Sequence, residues 1–385
     1  MRVLILGNMA NDGYSVAKAM RKLGISADLG INISDFGMAL PEWEDASADG
    51  LNPYDLIHGK FDWQPPDWIV YFDFKNRNRL QDAFLEKIKA RIDLWNLSCK
   101  YDVVEAGQPY SLYSQFLGKP YCVYDAGWIR YLPAGRGIRM RLARRAYSKA
   151  NRVMFTNPDT LRIFESVSWI KIGRLRFTPF AIDPEKYRTF SASEVYELRK
   201  NDPADIRLFS PARQIWREKG NDLLIHAFGE FSRIYHHARM TLVDWGPDAE
   251  RSMAYAKDLG VAGKIDWIKP VTKNRLIQLY NAADVVLDQF VLGSWGTAAP
   301  EAMSCGRPLL MFIDEIYVGR CFASLPPLLN CRTSTDILNN LTLLVEDDGF
   351  RRSYGKRLRE WVIRTHHPEA VAKTHCAVLE EALAG

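Results

Sequence analysis

Short apolar runs alternate with amphipathic helical stretches along this chain, stop at a polar segment, and then begin again. In the first half Val3–Leu6, Trp68–Phe72, Val103–Val104, Tyr121–Tyr124, Arg152–Thr156 and Arg176–Pro179 read as strands. Gly13–Leu23, Arg79–Asn96, Gly137–Lys149 and Asp159–Ser166 read as the helices between them. Apolar strands separated by helices are covered on both faces, so the pattern calls for a parallel sheet. After the polar stretch Asp183–Asp205 the strands Arg207–Ser210, Met240–Val243, Ile265–Ile268, Val285–Leu287 and Pro308–Phe312 follow. They alternate with helices at Gly220–Tyr235, Arg251–Leu259, Thr272–Asn281 and from Pro300–Ser304, and the chain ends in helices Asp347–Thr365 and Pro368–Leu383. At 385 residues the chain exceeds one ordinary core. The expected fold class is α/β, with two Rossmann-like, doubly wound parallel-sheet domains facing across a cleft. The expected division is 1–188, 189–365 and a last helical segment, 366–385, packing back toward the first domain.

Several function classes are set aside by composition. No window approaches the roughly 18 apolar residues of a membrane span, and the N-terminus runs straight into a strand and a Gly–Asn loop. A cytoplasmic protein is the expectation. Six scattered cysteines without a C-x-x-C pair point to reduced thiols, and the histidines lack metal-ligand spacing, so no metal site is expected. A net charge of +5 is too diffuse to argue for a nucleic-acid partner.

Open parallel sheets bind ligands beyond the carboxyl ends of their strands. Beyond Arg207–Ser210 the loop from Pro211 to Gly220 carries Arg213 and Lys219, a planar donor fork and a compact cation suited to a diphosphate. Beyond Val285–Leu287 come Asp288 and Gln289, then a glycine-bearing loop with Gly293, Ser294, Trp295, Gly296 and Thr297 that opens a helix. Such a loop offers backbone N–H groups to an anion, and Glu301, one turn into the helix, offers an acceptor for vicinal ribose hydroxyls. In the first half the Gly7–Gly13 loop lacks the dinucleotide spacing and is read as facing the cleft, with Asn8, Asn11 and Gly13 on the acceptor side. Glu105, Asp125 and Trp128, all close after strands, join that side, the two acids as candidates for holding acceptor or sugar hydroxyls.

The stretch Ala-Arg-(x5)-Lys-Gly from Ala212, the Tyr-x-x-Ala-Asp segment ending at Asp284, and Gly-x-x-x-x-Glu-Ala-Met-x-x-Gly-x-Pro over Gly296–Pro308 resemble the donor domain of family 4 retaining glycosyltransferases, of GT-B architecture. Ala150–Thr156 and Thr178–Asp183 are similar to the family's last N-domain strand and linker. The resemblance implies that Arg213 and Lys219 meet the donor diphosphate, Glu301 the ribose, and the backbone of Trp295–Thr297 the sugar and phosphate. It also implies that the base lies beside Trp267, Lys269 and Val271. Two departures stand out: Gly293 occupies the place of the family's sugar-contacting glutamate, and Asp125 that of an N-domain histidine. The implied reaction is metal-independent transfer, with retention, from a nucleotide-diphosphate sugar to a glycan or lipid-linked hydroxyl. The sugar nucleotide is a co-substrate and no cofactor is implied.

Arg136–Arg152 contains no acidic residue. At about 100° per residue Arg141, Arg144, Arg145, Lys149 and Arg152 share one face, opposite Met140, Ala143, Ala146, Tyr147 and Ala150. That face suits an anionic membrane surface, giving a peripheral location on the inner face of the cell membrane. The competing readings are a GT-B sugar-nucleotide epimerase and a catalytically silent binding subunit that lost activity with the missing glutamate.

Overall fold

The structure, a computed structural model, describes residues 1–46, 52, 54–55, 57–73, 92–202 and 204–385. Of the predicted helix Arg79–Asn96, residues 79–91 lie outside the described residues, and 92–98 are helical. The chain forms two units.

The first unit is built on seven parallel strands: β1 (Arg2–Leu6), β2 (Ser26–Asn32), β3 (Ile69–Phe72), β4 (Val103–Ala106), β5 (Tyr121–Asp125), β6 (Arg152–Phe155) and β7 (Leu175–Phe177). Their order is β3-β2-β1-β4-β5-β6-β7, so the winding direction reverses between β1 and β4. Val3 to Leu6, Val103 to Ala106 and Tyr121 to Asp125 are buried along their whole length, as strands covered on both faces must be. The last helix, Pro368–Ala384, also belongs to this unit.

That helix brings a charge into the core. His375, fully buried, meets Glu105 of β4 through Nδ1 at 2.9 Å from Oε2, with the ring of Tyr124 5.7 Å away. Burial alone would lower the His375 pKa, but the charge and hydrogen bond of Glu105, with Asp12 beyond, raise it above the ordinary 6.5. The native state therefore holds the proton more tightly than the unfolded chain does. Its stabilisation is complete below about pH 6.5 and is lost as pH climbs through the higher folded value. We expect the melting midpoint to fall as pH rises above about 6.5, and the His375→Gln variant to lose that slope. Equal slopes for wild type and variant would refute the assignment.

The second unit contains β8 (Ile206–Ser210), β9 (Ala238–Val243), β10 (Ile265–Ile268), β11 (Val285–Leu287), β12 (Leu309–Met311) and β13 (Leu329–Asn330). All pair in parallel, in the order β10-β9-β8-β11-β12-β13, with the reversal between β8 and β11. The division between units falls after Ala181, not after residue 188. The reason is hydrogen bonding: Ile182 N donates to His366 O at 2.9 Å, and the Tyr187 carbonyl accepts from Ser304 Oγ (2.9 Å) and Arg359 (3.1 Å). His366 likewise stays with the second unit, buried among Trp295, Phe322 and Trp361, so the final segment begins at Pro368 rather than at 366. The polar stretch Asp183–Asp205 is not all linker. Ala192–Arg199 is a helix whose start is closed by a reciprocal capping box between Ser191 and Glu194.

Candidate functional site

The loops that follow β8 and β11 flank the reversal of the second sheet, the place where an open parallel sheet leaves a crevice. They are tied together there. Lys219 Nζ donates to Gln289 Oε1 at 2.6 Å, and the Lys219 carbonyl accepts from Phe290 N at 2.8 Å. Arg213 lies with its guanidinium 5.2 Å from the centre of the Trp245 ring, in the loop after β9. That loop turns at Gly246, where φ is +129° and a Cβ would stand 2.4 Å from Gln214 O, so only glycine lets it close on the loop of Arg213. Lys269, beyond β10, is paired with Asp244, while Trp267 and Val271 stay half-buried on the same edge. Two sequence-predicted cations, Arg213 and Lys219, therefore stand on one edge with the glycine loop.

The glycine loop has its own logic. Gly293 has φ +72°, and a Cβ there would meet Phe312 Cε1 and Asp314 Cβ at 3.0 Å. Asp314 N donates to Gly293 O at 2.8 Å, and at this positive φ a glutamate here would be strained. Beside Gly296, by contrast, a Cβ would meet nothing within 4 Å, and the neighbouring Ser294 Oγ is buried without a hydrogen-bond partner. Asp288 is buried at the loop's start; burial raises its pKa, Lys219 opposes the rise and Glu301 adds to it. Trp295 turns inward, its ring near Phe322 and Trp361, and only its backbone remains on the loop.

Glu301, expected at the ribose, lies inside the fold. It is 2% exposed, its Oε1 is bound by Lys273 Nζ, and its Oε2 accepts from Tyr280 Oη at 3.2 Å. Lys273 also reaches Thr297 Oγ1 at 3.2 Å. Glu301 is thus a carboxylate already engaged inside the fold, and with Lys273 it holds the helix Ala298–Ser304 and the glycine loop in place. The sequence reading missed Lys273, which opens the helix Lys273–Ala282 and reads as a solvated lysine until its burial is seen.

In the first unit the acidic candidates are committed to structure as well. Asp125 is fully buried and accepts from Gly127 N (2.7 Å), Ile129 N (2.9 Å) and Tyr147 Oη, which caps the turn that begins at Trp128. Burial raises its pKa against those bonds. Asp125, and Glu105 beside His375, are thus both bonded within their own unit. Asn8 donates to Asn11 Oδ1 (2.8 Å) and Ala39 O (3.1 Å) and accepts from Tyr14 N (2.7 Å), which fastens its own loop. Gly13 is there because a Cβ would stand 2.6 Å from Gly7 O. Asn11 Nδ2, buried without a partner, and the half-buried Trp128 are the predicted residues of this edge with capacity to spare. A further carboxylate was missed. Asp35, following β2, is half-buried and accepts from Tyr110 Oη at 2.7 Å; burial, only partly offset by the bonds from Tyr110 and Asn32, pushes its pKa up to about 6.

Residues 199–317, which include the loops that follow β8, β9, β10 and β11, match the family model described as Glycosyl transferases group 1. The D-inositol 3-phosphate glycosyltransferase of Acidothermus cellulolyticus is 33% identical over 101 residues, 24% of this chain and 22% of that protein. The enzyme of the same name from Corynebacterium aurimucosum is 24% identical over 163 residues, 40% of this chain and 38% of that one. The chain therefore spans well under half the length of these curated relatives. Among solved structures, Anabaena Alr3699/HepE in complex with UDP-glucose superposes with a TM-score of 0.73 at 15% identity, covering 99% of each chain. Sucrose-phosphate synthase from Thermosynechococcus elongatus superposes with a TM-score of 0.71 at 15% identity, covering 100% of both. Residues 199–317 thus resemble the group 1 glycosyl transferases, in a chain with the GT-B fold.

Proposed function

We propose that this protein is a glycosyltransferase that takes a sugar from a uridine-diphosphate donor and passes it, with retention and without a metal, to an acceptor hydroxyl. The observation that carries this reading is the Lys219–Gln289 bond, which sets a cation of the β8 loop on the glycine loop of β11 at the sheet's reversal. With Arg213 it gives two fixed positive charges where a diphosphate leaves, the electrostatic role that lowers such a barrier. The open space beside Gly296 and the unbonded Ser294 Oγ suit the phosphate and sugar. Uridine is favoured because the Anabaena structure holds UDP-glucose in the same fold. The family 4 subtype and the retaining course rest on the sequence resemblance.

The test is thermal stability against UDP, GDP, dTDP, ADP and CMP, because a ligand that binds only the native state raises the midpoint. UDP should raise it and Arg213→Ala should abolish the rise. A rise with no nucleotide at millimolar concentration would instead favour the silent binding subunit.

The acceptor belongs to the same proposal: a glycan or a lipid-linked sugar reached from an anionic surface. The helix Ile138–Lys149 presents Arg139, Arg141, Arg145 and Lys149 to solvent, with Ile138 76% and Tyr131 44% exposed beside them. Arg144 and Arg152 leave the predicted face, since Arg144 donates to the carbonyls of Leu132, Pro133 and Gly135 and Arg152 pairs with Glu381 at 2.8 Å. No helix among the described residues is long and apolar enough to cross a membrane. Flotation with anionic liposomes should recover the protein and lose it in Arg141→Glu/Arg145→Glu; equal recovery with neutral lipid would end this part of the reading.

A further inference from the structure

A cavity of about 420 Å³ opens in the second unit at the amino ends of β11 and β12, the edge opposite the loops described above. Its wall includes Asp284 and Pro308, the residues that lead into those strands. Cations dominate the lining: Arg199, Arg307, Arg351, Arg352, Lys356 and Arg359, against the carboxylates of Asp284 and Asp348.

Both carboxylates are already used. Asp284 takes Arg199 at 3.0 Å on one oxygen and Arg207 N at 2.8 Å on the other, and Asp348 takes Arg351 and Arg352 together. Arg359 is occupied by the carbonyls of Tyr187 and Ser304. Arg307 is left over. Its Nε is buried without a hydrogen-bond partner, and its terminal nitrogens reach Asn281 Oδ1 and Ala283 O only at 3.4 and 3.5 Å. Burial and the neighbouring Arg199 lower its pKa, the mark of a cation short of counter-charge. Leaving a desolvated charge uncompensated is costly, and an anion in the cavity would remove that cost. The first turn of the helix Asp348–His366 borders the same space and adds the positive end of its dipole.

We propose that this cavity binds a phosphorylated small molecule, its phosphate on Arg307 with Arg352 and Lys356 closing over it. A phosphate monoester carries about −1.5 to −2 charges near neutral pH, which matches a cation excess of this kind better than a single carboxylate does. The volume lies within the range of small-molecule sites, about 300–1,000 Å³, and exceeds what a bare phosphate needs.

The experiment is calorimetric titration of the full chain with glucose 6-phosphate as a monoester probe, with inorganic phosphate and ionic-strength-matched chloride in parallel. Wild type and Arg213→Ala should bind one equivalent of glucose 6-phosphate, more tightly than inorganic phosphate. Arg352→Ala/Lys356→Ala should weaken it about tenfold or more. Both of those side chains are 79% exposed, so the fold is not at stake. Three results overturn the proposal. One is no heat above the chloride control. The second is inorganic phosphate binding as tightly as the ester. The third is affinity lost in Arg213→Ala but kept in the double variant, which would put the phosphate on the opposite edge of the sheet.

Discussion

Replacing Lys219 by Ala should lower turnover of UDP-glucose by about 10²–10³-fold, with Arg213→Ala close behind, while neither variant loses its fold. The expectation follows from where the two charges sit. Lys219 is anchored through its side chain to Gln289 and through its carbonyl to Phe290, so its ammonium group is already in place before a donor arrives. Arg213 is steadied over Trp245 by a turn that Gly246 alone permits. Preorganised charge of this sort acts on the departing diphosphate without reorganising at the moment of reaction. Lys219→Arg tests the geometry separately. The longer, planar fork keeps the charge but cannot reproduce the 2.6 Å contact, and it should restore only part of the rate. Variants that turn over UDP-glucose within about threefold of wild type would remove both residues from the chemistry.

The second large effect is on stability. Lys273 and Glu301 form a pair whose side chains are 8% and 2% exposed. Breaking a buried pair leaves one charge without compensation, which typically costs about 3–5 kcal/mol. Lys273→Met should therefore destabilise the second unit by about that amount in denaturant unfolding, and Lys273→Met/Glu301→Gln should recover most of it because the lone charge is gone. Tyr280 keeps a hydrogen-bond acceptor in the double variant. A single variant that loses less than about 1 kcal/mol would show that the carboxylate is solvated in practice and open to a ribose hydroxyl.

What could be read in the sequence follows from which signals are local. The alternation of apolar strands and helices is local, and both sheets with their central strands were legible from it. So was the basic loop of Arg213 and Lys219, since a strand end followed by a glycine-closed helix start fixes which residues stand at the carboxyl edge. β2 was not legible. Ser26–Asn32 carries Asp28, Gly30 and Asn32, and its glycine makes room for a neighbour: a Cβ at Gly30 would stand 2.7 Å from Leu6 Cδ2 of β1. The helix Ala192–Arg199 was hidden by its polarity, although Ser191 and Glu194 form the capping spacing that announces it.

The predicted acids have internal partners that the sequence announces to different degrees. A carboxylate after a strand looks like a ligand group, but Asp125 lies two residues before Gly127 and caps its own turn, a spacing that could have flagged it. Glu105 and Glu301 are neutralised by His375 and Lys273, each distant in sequence, and no local pattern announces partners of that kind. Asp35 is the reverse case. Its hydrogen bond from Tyr110 spans 75 residues, and the burial that lifts its carboxyl to about 6 belongs to the folded unit, not to any local pattern.

The most direct test of the central claim, a nucleotide-diphosphate site at the carboxyl edge of the second sheet, is calorimetric titration of UDP into wild type and Lys219→Ala. One equivalent should bind the wild type, with an affinity lowered about tenfold or more in the variant. Identical binding in both, or none in the wild type at millimolar UDP, would contradict it.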